Sequence, residues 1–459
     1  MSQLMKVHQA PAFGEEDFRV AKANGIEIVD PIDLDGNYID EITEFKGMYV
    51  KDADKKVIQA LKDRGLLLRN ETIVHSYPFC DRTDTPLIYR AIPSWYVKVE
   101  AHRDELVANN KTINWVPEHL RDGRMGKWLE NARDWSISRN RFWGTPLPVW
   151  ICDKDEKHIR VLSSVAELEK LGGKKITDLH KHFIDDIAFK CDQCDGTQKR
   201  IAEVLDCWFE SGSMPYAQRH YMGENDKEFL KQFPADFIAE GLDQTRGWFY
   251  TLAILSNALY KKPAFKNVVV NGIICDESGS KMSKRHRNYT APDQLINEFG
   301  ADSVRLYMLN SPLLKGENLI FKSSGVRDTT RAVILPFWNA HSFLTTYAAA
   351  DGWQPTAELA SGQKPKASEN ILDRCILSKL QTVTKQVHAQ MEKYQLYAVV
   401  PELLAFIEDL TNWYIRLSRR RFWSDSKTGI SQDTKDAYST LYYVLVQYTK
   451  LFAPFAPFV

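Results

Sequence analysis

The chain has 459 residues, with 60 basic and 60 acidic side chains and a formal net charge of zero. An apolar share of 44% and a charged share of 26% describe a globular protein of about three domains at ~150 residues each, and exclude a disordered chain, a collagen-like fibre and a disulfide miniprotein. No apolar run approaches the roughly 18 residues of a membrane helix, the N-terminus lacks a basic-then-apolar signal, and seven cysteines, an odd number, suit a reducing compartment, so a cytoplasmic enzyme with no membrane partner is expected.

Residues 1–75 mix short strands and turns with one helical stretch at 52–64, where Val57, Ile58 and Leu61 share a face and Gly65 follows as a C-cap. Residues 66–76 read as strand. Residues 76–150 are rich in Trp, Pro and Arg without regular patterning, which suits loops around a cleft. A charged stretch at 151–200 holds Cys152, Cys191 and Cys194 and reads as a small insertion. From about Phe233 the pattern becomes α/β. A strand at 237–238 precedes the polar turn Glu240-Gly241-Leu242-Asp243, a helix runs from about Gln244 to Tyr260, and a β-rich run at 268–275 leads into the turn at 276–279. Residues 326–459 are mainly helical, with apolar positions at i, i+3, i+4 and i+7 over 380–387 and 403–417 and an inter-helix loop at 352–365. There is no internal repeat.

Charge is unevenly placed despite the neutral total. Residues 281–287 (KMSKRHR) hold four Lys/Arg and no acid, and residues 411–423 (TNWYIRLSRRRFW) hold four Arg among four aromatics. Each stretch suits phosphate contact, or else a solvated face. Lys281 and Lys284, three apart after a strand and a glycine turn, can close over a polyphosphate and neutralise charge that develops as pyrophosphate leaves. Glu240-Gly241-x-Asp243-Gln244 follows a strand and opens a helix, where α/β sheets place ligands. The plainer alternative there is a helix N-cap by Asp243 with Glu240 solvated. Cys191-x-x-Cys194 is half of a zinc knuckle. Cys152 is followed at the third position by Asp155 rather than Cys, so completion would fall to His158 or Cys207, and a metal-free turn is the alternative.

Residues 271–289 (NGIICDESGSKMSKRHRNY) resemble the KMSKS loop of class I aminoacyl-tRNA synthetases. Residues 134–148 (DWSISRNRFWGTPLP), 206–215 (DCWFESGSMP), 240–249 (EGLDQTRGWF), 412–423 (NWYIRLSRRRFW) and 8–18 (HQAPAFGEEDF) are similar, in order, to the isoleucine-specific branch of that family. Residues 210–215 and 412–416 favour this branch over the valine-specific one, which shares the SR-x-R-x-WG and KMSK elements. The resemblance implies ATP-dependent activation of L-isoleucine with Mg²⁺, and transfer to tRNA(Ile). Lys281, Met282, Ser283 and Lys284 would bind ATP, with both lysines catalytic. Glu240, Gly241, Asp243 and Gln244 would line the aminoacyl-adenylate. Trp143 and Trp248 would wall the amino-acid pocket, although large aromatics are more often core. Such a pocket separates isoleucine from valine by only ~1–3 kcal/mol, so hydrolytic editing is physically required, and the resemblance assigns His8 and Asp17 to it.

By the same resemblance, residues 1–75 are the remnant of a β-rich editing domain. Residues 76–325 are the second half of a Rossmann-like catalytic domain with an insertion at about 151–205. Residues 326–459 are a helical anticodon-binding domain. The first six residues do not match the family's run before HQAP, and no H-x-G-H occurs in the chain. The expectation is a middle piece of a larger enzyme that is inactive alone and complemented by an N-terminal half. A valine-specific ligase and a non-catalytic, synthetase-derived tRNA-binding protein are the alternatives.

Overall fold

The computed structural model describes residues 9–80, 83–221, 227–283, 285, 287–423 and 429–459. His8 and Lys284, both expected at functional sites, lie outside the described residues. The chain divides into two compact units, Met1–Trp95 and Tyr96–Val459.

The first unit holds helices at Glu15–Ala23 and Val50–Asp63. In the second of these Ala53 is buried and Val57, Ile58 and Leu61 are half-buried, as the periodicity requires, and Gly65 follows at φ +67. Pairing among the described residues is limited to the isolated bridges Ile32–Tyr38, Asn37–Tyr49 and Phe79–Pro86. The expected strand at 66–76 joins no ladder among the described residues, and Leu68 and Val74 are fully exposed. Extended backbone becomes a strand only when a neighbour takes up its N–H and C=O groups. Arg90 ties this unit together, donating to Asp30 Oδ2 at 2.6 Å and to the carbonyls of Ile32 and Asp33.

The second unit is built on three parallel strands in the order Ile238–Gly241, Asn267–Asn271, Asn114–Val116. Val268, Val269 and Val270 are all buried in the central strand, as a parallel strand covered on both faces requires. Between the first two strands runs the helix Trp248–Tyr260, preceded by a tight turn at Leu242–Arg246. Trp115, Phe249 and Phe265 pack edge-on beneath the sheet, and Trp115 Nε1 donates to Asn110 Oδ1 at 3.0 Å.

The expected run at 268–275 is two strands. The chain breaks at Gly272, where any Cβ would overlap the Glu317 carbonyl, and resumes as Ile274–Cys275, pairing parallel with Leu319–Ile320. The insertion folds as a four-stranded antiparallel sheet, with Val149–Cys152 and Thr197–Arg200 at its centre and a core of Trp150, Leu162, Leu168, Ile184, Ile187 and Phe189.

The C-terminal part is helical as expected, with long helices at Leu335–Ala350, Ile371–Met391, Leu396–Glu408 and Gln432–Phe452 around Leu380, Leu403, Phe406, Leu441 and Tyr448. The loop expected at 352–365 contains one helical turn, Ala357–Ala360, capped by the Thr356 hydroxyl. Among the described residues no helix is long and apolar enough to cross a membrane.

Candidate functional site

The polar groups singled out by sequence gather beyond the carboxyl ends of the parallel strands. Glu240 and Gly241 end one strand, and Asp243 lies in the turn that follows. Lys281 Nζ reaches across to Asp243 Oδ2 at 3.1 Å, and both side chains are exposed. Gln244 has a different task. Its Oε1 accepts from the Trp248 backbone N–H at 2.9 Å and so caps the following helix, the job sequence reading left open for Asp243. A Cβ at Gly241 would come within 2.8 Å of Asp243 Oδ1, so glycine lets the strand end and the carboxylate sit close together. Asp243, Gly272, Lys281, Met282 and Ser283 share the wall of an adjoining cavity of about 670 Å³, whose remaining lining is largely apolar and includes Ile273, Leu295 and Phe321.

Of the two tryptophans expected to wall an amino-acid pocket, Trp248 lies beside this cluster and donates through Nε1 to the Ser211 carbonyl at 2.9 Å. Trp143 stacks on His180 with ring centroids 4.7 Å apart, in an exposed row that includes Phe142 and His182. Sequence reading passed over Trp208. A Cβ at Gly247 would come within 3.1 Å of its ring, which puts Trp208 beside the Gly247–Trp248 backbone with 40% of its surface exposed. Asp206 holds this corner together by capping the Cys207–Gly212 helix and accepting from Arg139 Nη2 at 2.6 Å.

In the inserted sheet Cys152, His158, Cys191 and Cys194 bring their ligand atoms within 4.8 Å of one another. The backbone N–H groups of Lys154, Gln193 and Gly196 point at the three sulfurs, at 3.4–3.5 Å. The Lys154 N–H and neighbouring donors pull the Cys152 thiol down to about 7. His158 faces Cys191 Sγ through Nδ1 at 3.6 Å and Asp155 Oδ2 through Nε2 at 3.5 Å. Asp155, found where sequence reading looked for a cysteine, therefore orients the ligand that replaces it. Three sulfurs and one imidazole nitrogen suit tetrahedral zinc. Cys207 is not in the group; its thiol lies against Asp206.

The arginines of the helical part divide. Arg421 is turned inward, 10% exposed, onto Asp373 and Asp433. Arg416, Arg419 and Arg420 are exposed, as are Trp413 and Trp423, while Tyr414 and Phe422 are core. In the first unit Asp17 Oδ2 accepts from the Ala10 N–H at 2.9 Å, closing the turn before the Glu15–Ala23 helix.

Comparison with known proteins adds to this geometry. Residues 26–320 match the family of tRNA synthetases class I (I, L, M and V), and residues 373–459 match the anticodon-binding domain of tRNA ligase. Isoleucine–tRNA ligases of Bdellovibrio bacteriovorus and Protochlamydia amoebophila are 53% and 51% identical over 98% and 99% of the chain. The chain spans 42% of the length of each of these relatives. Mycobacterium tuberculosis methionyl-tRNA synthetase in complex with methionyl-adenylate aligns over 96% of this chain and 78% of its own, with TM-score 0.57 and 17% identity, a likeness of fold. The Agrobacterium radiobacter LeuRS ternary complex aligns over 71% of this chain and 40% of its own, with TM-score 0.51 and 22% identity.

Proposed function

Because the chain belongs to the class I tRNA synthetases (I, L, M and V), we propose that it carries the phosphate-neutralising and adenylate-binding half of an isoleucine–tRNA ligase, working in the cytoplasm. The reaction joins the isoleucine carboxylate to the α-phosphorus of MgATP with loss of pyrophosphate, then passes the isoleucyl group to a terminal ribose hydroxyl of tRNA(Ile), breaking the acyl–phosphate bond and releasing AMP. The observation that carries this reading is the meeting of Lys281 and Asp243 beyond the carboxyl ends of the parallel strands. Isoleucine is chosen over the family's other amino acids because the relatives matching nearly the whole chain are named for it.

Lys281, with Lys284 beside it in sequence, neutralises the charge that grows on the leaving pyrophosphate, an electrostatic task that makes no bond itself. Met282 and Ser283 carry the loop past the phosphates. Glu240 and Asp243 offer acceptors to ribose hydroxyls, Gly241 permits close approach of the backbone, and Gln244 keeps the following helix in register. Trp248, with Trp143 from the same resemblance and Trp208 from its place beside Gly247, walls the isoleucine side chain. Zinc is proposed on Cys152, His158, Cys191 and Cys194, where it holds the inserted sheet and takes no part in the reaction. The exposed Arg416, Arg419 and Arg420 are proposed to meet tRNA phosphates. Hydrolysis of misattached valine is proposed for the first unit, with His8 and Asp17.

The test is isoleucine-dependent ATP–pyrophosphate exchange by the chain alone and mixed with a synthetase N-terminal half, valine running in parallel. Exchange with isoleucine that Lys281→Ala lowers sharply, to a residual measurable rate, is the expected result. Faster exchange with valine moves the assignment to the valine branch. Binding of tRNA with no exchange in any mixture replaces an enzyme with an RNA-binding protein.

A further inference from the structure

We propose that Asp276 and Asn288 are positioning residues for Lys281, clasping the two ends of its loop so that the backbone around the lysine is held for phosphate contact. The proposal deepens the reading of this loop as the phosphate-neutralising element and rests on it.

Most of the described residues between Asp276 and Asn288 are exposed, with Met282, Ser283 and Asn288 half-buried. Holding such a segment in one conformation costs backbone entropy, so something must offset it. Backbone contacts at Cys275–Lys281, Met282–Ile274, Asp276–Ser280 and Ser283–Arg287 contribute, and the side chains of Asp276 and Asn288 add a set of bonds that spans the lysine. Asp276 Oδ1 accepts from the Ser278 N–H at 3.0 Å, the Ser278 hydroxyl at 2.6 Å and the Ser280 N–H at 2.9 Å. Asp276 Oδ2 accepts from Asn288 Nδ2 at 2.6 Å. Asn288 then holds the C-terminal side of the lysine, as Asp276 holds the side before it through Ser280: its Oδ1 accepts from the Ser283 N–H at 3.0 Å, and its Nδ2 donates to the Lys281 carbonyl at 3.3 Å. An amide supplies both polarities here, and a carboxylate at 276 accepts everything offered to it. The Lys281 ammonium meanwhile pairs with Asp243 and not with Asp276, so the clasp acts on the lysine's backbone and leaves its charge to the site.

The pairing can be reversed, which supplies the test. In Asp276→Asn a new amide faces the Asn288 amide, donor against donor. In Asn288→Asp two carboxylates face each other. In the double variant the amide at 276 donates to the carboxylate at 288, which still accepts from Ser283. Two readouts are taken: amide hydrogen exchange at Ser280 and Ser283 in the chain, and isoleucine-dependent pyrophosphate exchange in the assembly described above.

Each single variant should speed amide exchange at Ser283 and lower kcat about 10- to 100-fold, with KM for isoleucine unchanged, as expected when only transition-state contacts are misplaced. The double variant should recover both in part, since the carboxylate at 288 still accepts from Ser283 but no longer donates to the Lys281 carbonyl. On a Lys281→Ala background the single variants should add less than about twofold, since they act through that lysine. Full kcat in single variants whose Ser283 amide has lost protection overturns the proposal, as does a loss of rate that persists undiminished on the Lys281→Ala background. Exchange absent from the unsubstituted assembly overturns the enzymatic reading, and this proposal with it, whatever the amides show.

Discussion

Arg421 grips Asp373 through two parallel hydrogen bonds of 2.7 Å each, and the carboxylate between them is fully buried. The same carboxylate accepts from the Tyr414 hydroxyl at 2.7 Å and from Ser368 Oγ at 2.7 Å. Of the arginines in the basic run, Arg421 is thus a structural member of the helical core.

Removing one partner of a buried ion pair leaves the other uncompensated. Arg421→Ala should therefore lower unfolding stability by about 3–5 kcal/mol, measured by urea denaturation. Arg416→Ala and Arg420→Ala should change stability by less than about 0.5 kcal/mol. They should instead weaken tRNA binding and flatten its dependence on salt, because each lost phosphate contact releases fewer counterions.

Alkaline pH tests the same core. Burial, then the Asp373 charge and bond, push the Tyr414 hydroxyl well above the ordinary 10.0, and burial pushes Tyr448 well above it too. A group whose folded pKa is raised contributes stability that is fully present below its unfolded pKa and is lost as pH rises beyond it. Stability should hold up to about pH 10 and fall above it. In a titration followed at the phenolate absorbance, with Tyr414→Phe and Tyr448→Phe as references that isolate these two among the 19 tyrosines, both should ionise together with the loss of helical dichroism; their ionisation in a chain that stays helical would refute their burial.

The sulfur and imidazole cluster predicts one tightly held zinc per chain, measured by metal analysis after dialysis. Cys191→Ser and Cys194→Ser should lose the metal, while Cys207→Ser should keep it. Asp155→Ala, which frees the His158 ring, should lower zinc affinity about 10- to 100-fold.

The Trp208 ring lies against Gly247, and Trp248 follows it in the chain. Truncating either to alanine should raise KM for isoleucine about 10- to 100-fold in pyrophosphate exchange, the loss of roughly 1–3 kcal/mol of apolar contact. An unchanged KM in Trp208→Ala would remove that residue from the pocket.

Gly272→Ala places a methyl group onto the Glu317 carbonyl, in the segment that aligns Ile274–Cys275 with Leu319–Ile320. A destabilisation of about 3 kcal/mol or more is expected. Gly279, at φ +84 with open space around it, should cost only about 1 kcal/mol when changed to alanine.

What sequence alone determined was local. The helix ending before Gly65, the buried valines of the central strand, the turn at 276–279 and the long helices of the C-terminal part follow from periodicity and backbone preference, which operate over a few residues. The ordered motifs also identified the family, because side-chain types recur at spacings set by its chemistry. Partnership was decided only by the tertiary structure. Residues 66–76 have strand composition but pair with no strand among the described residues. Gln244, rather than Asp243, caps the helix. His158 joins Cys191, 33 positions later, because two hairpins meet in one sheet. Arg421 turns inward while Arg420 beside it faces solvent, a choice made by a carboxylate 48 positions earlier. Such pairings depend on which distant atoms share a buried volume, and no short-range pattern in the chain encodes that.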